Sequence, residues 1–234
     1  MRVLVTRPQH DALETAALLK TRGHDSLIAP LLSVTYRDGP ALDLSGVQAI
    51  LATSANGIRA LARRIGRRDL PIFAVGPQTA RAASEAGFHQ VKNADGDAKA
   101  LAKAVPSWIT AGEGILLHAS GSESNSALAN ELSAAGFRIR TENLYDVAAM
   151  EALPAVARDA LSNAGLDAVL LYSPRSARVF CDLVVRAGLE GAASTLIGLC
   201  ISRAAAVNLE GLNMHDVRIA QRPNQLSLLD CLDR

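Results

Sequence analysis

The sequence predicts an α/β fold with mostly parallel strands, arranged as two similar domains. Three observations predict it. Short β-rich runs alternate with amphipathic helical stretches along the whole chain, the second half repeats the first in outline, and hydroxyl-rich loops recur where strands pass into helices. The first strand is VLVT, followed by a helix over DALETAALLKTRG, in which Leu13, Ala16, Ala17 and Leu19 recur at helical spacing and Gly23 stops the run. AILAT then leads into ANGIRALARR, and IFAV into QTARAASEAG. Within ILATSANGIRAL, residues 50–61, an apolar strand runs into Thr53, Ser54, Ala55, Asn56 and Gly57 and then into a helix whose first amides need partners. The same grammar continues through the second half.

The repetition can be traced segment by segment. ILATSANGIRAL aligns with VLLYSPRSARVF, which pairs Ser54 with Ser173 and Arg59 with Arg178 at one offset. IFAVGPQTARAA matches IGLCISRAAAVN, and VLVTRP…ALLKTRGHDSLIAPLLSV resembles ILLHAS…ANELSAAGFRIRTENLYDV. The chain therefore reads as an internal duplication of a unit roughly half its length. Two β-prone segments, PLLSVTY at 30–36 and NLYDVAAM at 143–150, stand where the chain would pass between bodies. This points to one discontinuous α/β domain, residues 1–36 plus 148–234, and a second over 38–145, with connector strands near 31–37 and 143–148. A tandem arrangement with a boundary near 112 is simpler and stays open at this point.

Composition narrows the function. With 234 residues and 49% hydrophobic content the chain can bury a substantial core. Its 24 basic and 23 acidic residues create no global field for nucleic acid or an anionic membrane, so an anionic partner must be held locally. The basic run Arg63, Arg64, Arg67 and Arg68 reads as a solvated helix end, where cations also suit the helix dipole. Aromatic residues make up only 3% of the chain, which argues against a base-stacking surface. No apolar run approaches the ~18 residues of a membrane span, and MRVLVTRPQ reaches Arg7 and Pro8 too soon for a signal-peptide core. A cytoplasmic protein is expected, and monomer is the default oligomeric state. Cys181, Cys200 and Cys231 are widely spaced among apolar neighbours and read as reduced, structural thiols.

Open α/β sheets bind ligands beyond the carboxyl ends of their strands, where loops meet helix starts rich in free N–H groups. Here those positions are Thr6–Pro8, Thr53–Asn56, Gly76–Thr79, Ser120–Asn125, Ser173–Ser176 and Ser202–Arg203. Ser, Thr and Asn cap helices anywhere, so one such loop says little. Six of them around two sheets point to a shared anion-binding cleft. The sequence has no G-x-G-x-x-G, P-loop or G-x-S-x-G motif. Its histidines, at 10, 24, 89, 118 and 215, show no metal-ligand spacing, and His118 reads as a packed residue. With neither metal site nor nucleophile, the chemistry would rest on holding a polyanion in a reactive shape, with a tyrosine or an ordered water moving a proton.

The opening VLVTRP, TSANGIRAL, AVGPQTARAA, the tyrosine of NLYDV, YSPRSARVF and the late RPNQLSLLDCL together resemble the uroporphyrinogen-III synthase family across essentially the whole chain. The resemblance implies two flavodoxin-like α/β domains, a two-stranded connector and an active site in the cleft between the domains. The implied substrate is hydroxymethylbilane, a linear tetrapyrrole with eight carboxylates, and no cofactor or metal is implied. Its terminal hydroxyl leaves, the substituted carbon of ring D is attacked to give a spiro intermediate, and the ring closes inverted. Tyr145 matches the tyrosine credited with helping the hydroxyl depart. Thr53, Ser54, Asn56, Thr79, Ser122, Ser173 and Ser202 would receive acetate and propionate groups, and Arg7, Arg175 and Arg203 would add fork-like contacts.

The chain also departs from the family pattern. Where many members have Gly-Pro-Thr-Thr-Ala, it has Cys200-Ile201-Ser202-Arg203-Ala204, and its 120–125 loop carries Ser122, Ser124 and Asn125 in place of a glycine-arginine pattern. A transient contact with hydroxymethylbilane synthase is the one macromolecular partner considered; neither nucleic acid nor membrane is expected. The main rival is a two-domain hinge-type small-molecule binding or sensor protein. A nucleotide-using enzyme with Ser120–Asn125 as a degenerate phosphate loop is weaker, for want of the lysine and glycines.

Overall fold

The structure, a computed structural model, describes residues 1–122 and 126–233. The chain divides into two compact units, Met1–Ser33 with Ala148–Arg234, and Val34–Val147. Residue 112 lies inside the second of these.

In chain order the first unit opens with β1 (Arg2–Val5), α1 (Gln9–Thr21) and β2 (Asp25–Ile28). Gly23 ends α1 as the sequence predicts: at φ 76° it sits in the left-handed region, and its amide donates to the Lys20 carbonyl at 3.1 Å. The chain then forms β3 (Leu32–Tyr36), β4 (Val47–Ala52), α2 (Ala55–Arg64), β5 (Ile72–Ala74), α3 (Pro77–Glu85) and β6 (Val91–Asn93). After α4 (Ala98–Ala104) come β7 (Ile115–Gly121), α5 (Ala127–Ala134) and the long β8 (Arg138–Ala149). The first unit resumes with α6 (Ala155–Ser162), β9 (Ala168–Leu171), α7 (Pro174–Arg186) and α8 (Glu190–Ala193). It closes with β10 (Ile197–Cys200), α9 (Arg203–Ala206), β11 (Asp216–Ile219) and α10 (Gln225–Leu229).

The first unit's sheet runs β2-β1-β9-β10-β11 with every pair parallel. Counted along that unit's own chain this is order 2-1-3-4-5, the flavodoxin-like arrangement. The second sheet runs β3-β8-β7-β4-β5-β6. Its parallel part, β8-β7-β4-β5-β6, has the same order when counted from β7, and so is a cyclic permutation of the first. The segments that repeat in the sequence occupy matching places: counted along the first sheet and the parallel part of the second, β1 and β7 are second, β9 and β4 third, β10 and β5 fourth. β3 runs antiparallel to β8, since Arg37 donates to the Leu144 carbonyl at 2.8 Å and Met150 to that of Leu31 at 2.9 Å.

Each central strand is buried on both faces, which is why it reads as an unbroken apolar run rather than an alternating one. In β1, Leu4 faces Phe180 and Leu183 of α7, whereas Val3 and Val5 face Leu19 of α1 and Leu228 of α10. In β4, Ile50 joins Ile58 and Leu61 of α2, whereas Ala49 and Leu51 join Leu101 of α4 and Leu132 of α5. This two-sided packing anchors the strand ends, and so the loops that leave them, in both units.

Candidate functional site

At the carboxyl end of β4 the chain turns through Thr53 and Ser54 into α2. Ser54 is extended, at φ −154°, and its hydroxyl oxygen accepts the Gly57 amide at 3.0 Å, an N-cap that stops the strand and starts the helix. The helix start sits hard against β7: a Cβ on Gly57 would lie 2.6 Å from the Ala119 carbonyl oxygen. Thr53 Oγ1 is 3.4 Å from His118 Nε2, and Asn56 Oδ1 accepts from Arg59 at 3.0 Å. His118 lies within β7, and burial pushes its pKa down to about 4, so the ring is neutral at physiological pH.

Tyr145 of β8 meets this turn. The β7–β8 register, regular from Ile115 opposite Arg138 to Ser120 opposite Asn143, then slips so that Gly121 faces Tyr145. Such a bulge re-aims the side chains that follow it, here bringing Tyr145 over Gly121. A Cβ on Gly121 would stand 2.8 Å from the tyrosine Cζ, so only glycine leaves room for the ring. The phenol oxygen lies 2.7 Å from Ser54 Oγ. Burial raises the phenol's pKa above its ordinary value, the Ser54 hydrogen bond pulls the other way, and Tyr36 adds a smaller upward push. Beside it, Asp146 is held down to about 2, first by the Arg37 fork at 2.7 and 2.8 Å and then by the Ser122 hydroxyl. The Ser122 amide donates to the Tyr145 carbonyl at 3.0 Å. Ser124 and Asn125 lie outside the described residues.

The first unit presents its own row at the ends of β1, β9 and β10. Ser173 caps α7 in a reciprocal box with Ser176, both bonds at 3.0 Å, with Pro174 as the first helical residue. Arg175 follows, half-buried. Ser202 caps α9 by accepting the Ala205 amide at 3.3 Å, and Arg203 beside it is exposed.

Two residues expected at substrate are turned inward. Arg7 is 7% exposed: it reaches Asp11 at 3.3 Å and Thr15 at 3.4 Å, donates to Gln225 Oε1, and lies 4.2 Å from the centre of the Tyr172 ring. Thr79, in the first turn of α3, is also buried. Each follows a strand by only a few residues, a position that in a parallel sheet opens inward as readily as outward. The other expected contacts stand at strand ends, and Ser54 is brought directly to Tyr145.

Sequence reading missed Gly57, Gly121, Gln225 and the Arg37–Asp146 pair. Gln225 sits in RPNQLSLLDCL and the glycines follow apolar strands, but nothing local in the sequence says what approaches them. Cys200 and Cys231 are buried, and burial pushes the Cys200 thiol up to about 12, so it is not a nucleophile. Among the described residues, no group of three or more His, Cys, Asp or Glu is placed to hold a metal, and no helix is long and apolar enough to cross a membrane. A groove lined by Arg2, Lys20, His24 and Asp25 opens at the amino ends of β1 and β2, the opposite end of that sheet from these loops.

Two flavodoxin-like sheets, with hydroxyl-capped helices at their strand ends and a buried phenol beside one of them, define the class as a two-unit α/β protein. The family model described as uroporphyrinogen-III synthase HemD matches residues 14–230. The chain belongs to the uroporphyrinogen-III synthase family, the cyclising lyases of tetrapyrrole biosynthesis. It is similar in fold to the uroporphyrinogen-III synthetase of Helicobacter pylori 26695, at 16% identity and TM-score 0.63 over 99% of this chain and 98% of that one. A mutant uroporphyrinogen III synthase from the extremely thermophilic bacterium Thermus thermophilus matches at 21% identity and TM-score 0.54, over 100% and 98%. No individual curated protein matches closely enough to be named as a relative.

Proposed function

We propose that this chain converts hydroxymethylbilane to uroporphyrinogen III, with Tyr145 assisting departure of the terminal hydroxyl. The observation that carries the assignment of Tyr145 is its setting: a phenol that holds its proton at neutral pH and whose pKa burial raises further, seated over Gly121 and bonded to Ser54 at a helix start. A protonated phenol donates to the leaving hydroxyl while the electron-rich pyrrole pushes it out. Attack at the substituted carbon of ring D gives the spiro intermediate, which reopens and closes with that ring inverted. Closure releases the proton that departure consumed. The reaction is therefore a redox-neutral loss of water and requires no electron carrier.

The substrate carboxylates are received at helix starts, where amides and partial positive charge favour anions. Thr53, Asn56 and Ser122 serve in the second unit, and Ser173, Arg175, Ser202 and Arg203 in the first. Ser202 caps α9 through its oxygen and keeps its own proton to donate, so capping and carboxylate binding are compatible there, whereas the Ser173 hydroxyl donates to Ser176 Oγ at 3.1 Å and has to turn to reach a carboxylate. Arg7 and Thr79 support these loops from behind. The substrate also closes spontaneously to isomer I, which favours a transient contact with hydroxymethylbilane synthase in the cytoplasm.

The test is a coupled assay with porphobilinogen and hydroxymethylbilane synthase, followed by oxidation and separation of the uroporphyrin isomers. Isomer III is expected with the protein present. Isomer I alone, in the presence of folded protein, would reject the synthase reading in favour of ligand binding without catalysis. Tyr145→Phe is expected to lower kcat by roughly 100-fold, the lower end of what a positioned proton donor contributes.

A further inference from the structure

We propose that Ser54 is a positioning residue for Tyr145 rather than a substrate ligand: it donates its proton to the phenol oxygen at 2.7 Å while accepting the Gly57 amide at 3.0 Å. The inference rests on the role proposed for Tyr145. A serine hydroxyl has one proton and two lone pairs. One lone pair is taken by the helix amide, so the direction of the remaining bond decides what Ser54 can do. If the phenol donated to Ser54, the proton needed at the leaving hydroxyl would point at the protein. With Ser54 as donor, the phenol's own proton points away from Ser54, and Ser54 has no proton left for a carboxylate. Proton delivery by Tyr145 and carboxylate binding by Ser54 are therefore mutually exclusive.

Three further features hold this seat. The bulge after Ser120 brings Tyr145 opposite Gly121. Gly121 lets the ring lie where a Cβ would come within 2.8 Å of it. Gly57 lets the first turn of α2 settle onto the Ala119 carbonyl, which fixes the height of Ser54 above β7. Strand, helix and phenol are thus registered against one another through a single hydroxyl, and preorganisation of this kind acts on kcat more than on KM.

The experiment uses the full chain carrying Ser54→Gly, since glycine is nearly as good an N-cap and removes the hydroxyl at little expense to the helix. Ser54→Thr is the conservative variant, which keeps both cap and donor. The chain has three tyrosines, and with 13Cζ-tyrosine labelling the Tyr145 resonance is identified by its loss in Tyr145→Phe. Its titration should move to higher pH in Ser54→Gly, because the bond that opposes burial is gone, and return in Ser54→Thr. Kinetically, Ser54→Gly should lower kcat about tenfold with KM changed less than about twofold, and should change kcat less than about twofold in the Tyr145→Phe background. An equal loss in both backgrounds, or a loss in KM alone, would mean that Ser54 touches the substrate and would overturn the proposal. An unmoved Tyr145 titration would overturn it whatever the kinetics. Isomer I alone from the unsubstituted protein is the separate result that rejects the synthase reading, and the titration decides the contact even then.

Discussion

Arg7 and Thr53 each follow a strand in a polar loop, yet Arg7 is enclosed by Asp11, Thr15, Gln225 and Tyr172, whereas Thr53 stands at the strand end beside His118. The enclosing partners of Arg7 come from the first two turns of α1, from the end of β9 and from the start of α10, so residue type alone did not predict its fate. His118 was legible as a packed residue from its place in an apolar run, and its burial has a measurable consequence. Its folded pKa of about 4 lies below the ordinary 6.5, so between those values the unfolded chain holds a proton that the native one excludes. This contribution is complete above pH 6.5 and is lost as the pH falls toward 4. Urea unfolding should show stability falling by about 2 kcal/mol more between pH 7 and pH 5 in the unsubstituted protein than in His118→Gln. Equal slopes would show that the ring is charged without penalty in the native state.

At the scale of elements, helix starts were the most legible feature. Ser54, Ser173 and Ser202 are N-caps in the structure, so the residues that suggested anion binding also perform the ordinary work of starting helices. The bulge in β8 was not legible, because NLYDV has the same apolar character in either register, and only pairing with β7 shows where the slip falls. Gly57 gives this scale a test in which two effects oppose each other. Replacing a helical glycine with alanine normally gains about 1 kcal/mol of propensity. Here the new Cβ would stand 2.6 Å from the Ala119 carbonyl oxygen, a backbone atom held in a central strand, and overpacking of this kind costs about 1–3 kcal/mol. Gly57→Ala should therefore lower the denaturation midpoint. A raised midpoint would show that α2 lifts off β7 freely.

For the whole molecule, the cyclic permutation follows from how the chain is threaded. The first unit leaves after its second strand and returns at its third, whereas the second unit begins at its third strand and ends at its second. The second unit is consequently one continuous stretch, Val34–Val147, with apolar clusters on both faces of its sheet. Expressed alone, residues 34–147 should fold and melt cooperatively by circular dichroism. A gradual, non-cooperative melt would show that its core depends on the remaining chain. The first unit offers no such fragment, since its strands come from both ends of the sequence.

The sequence by itself determined the parallel α/β class, the strand and helix alternation, the capped helix starts and the segments that fill matching places in the two sheets. These depend on local periodicity and on the chemistry of a few adjacent residues. Only the tertiary structure decided that Arg7 turns inward, that Tyr145 is delivered by a bulge, and that Gly57 and Gly121 make room at one hydroxyl. Each of these is a meeting of groups far apart in the chain, fixed by close packing and strand register, and no local pattern records which backbone atom or ring will arrive within 3 Å of a missing Cβ.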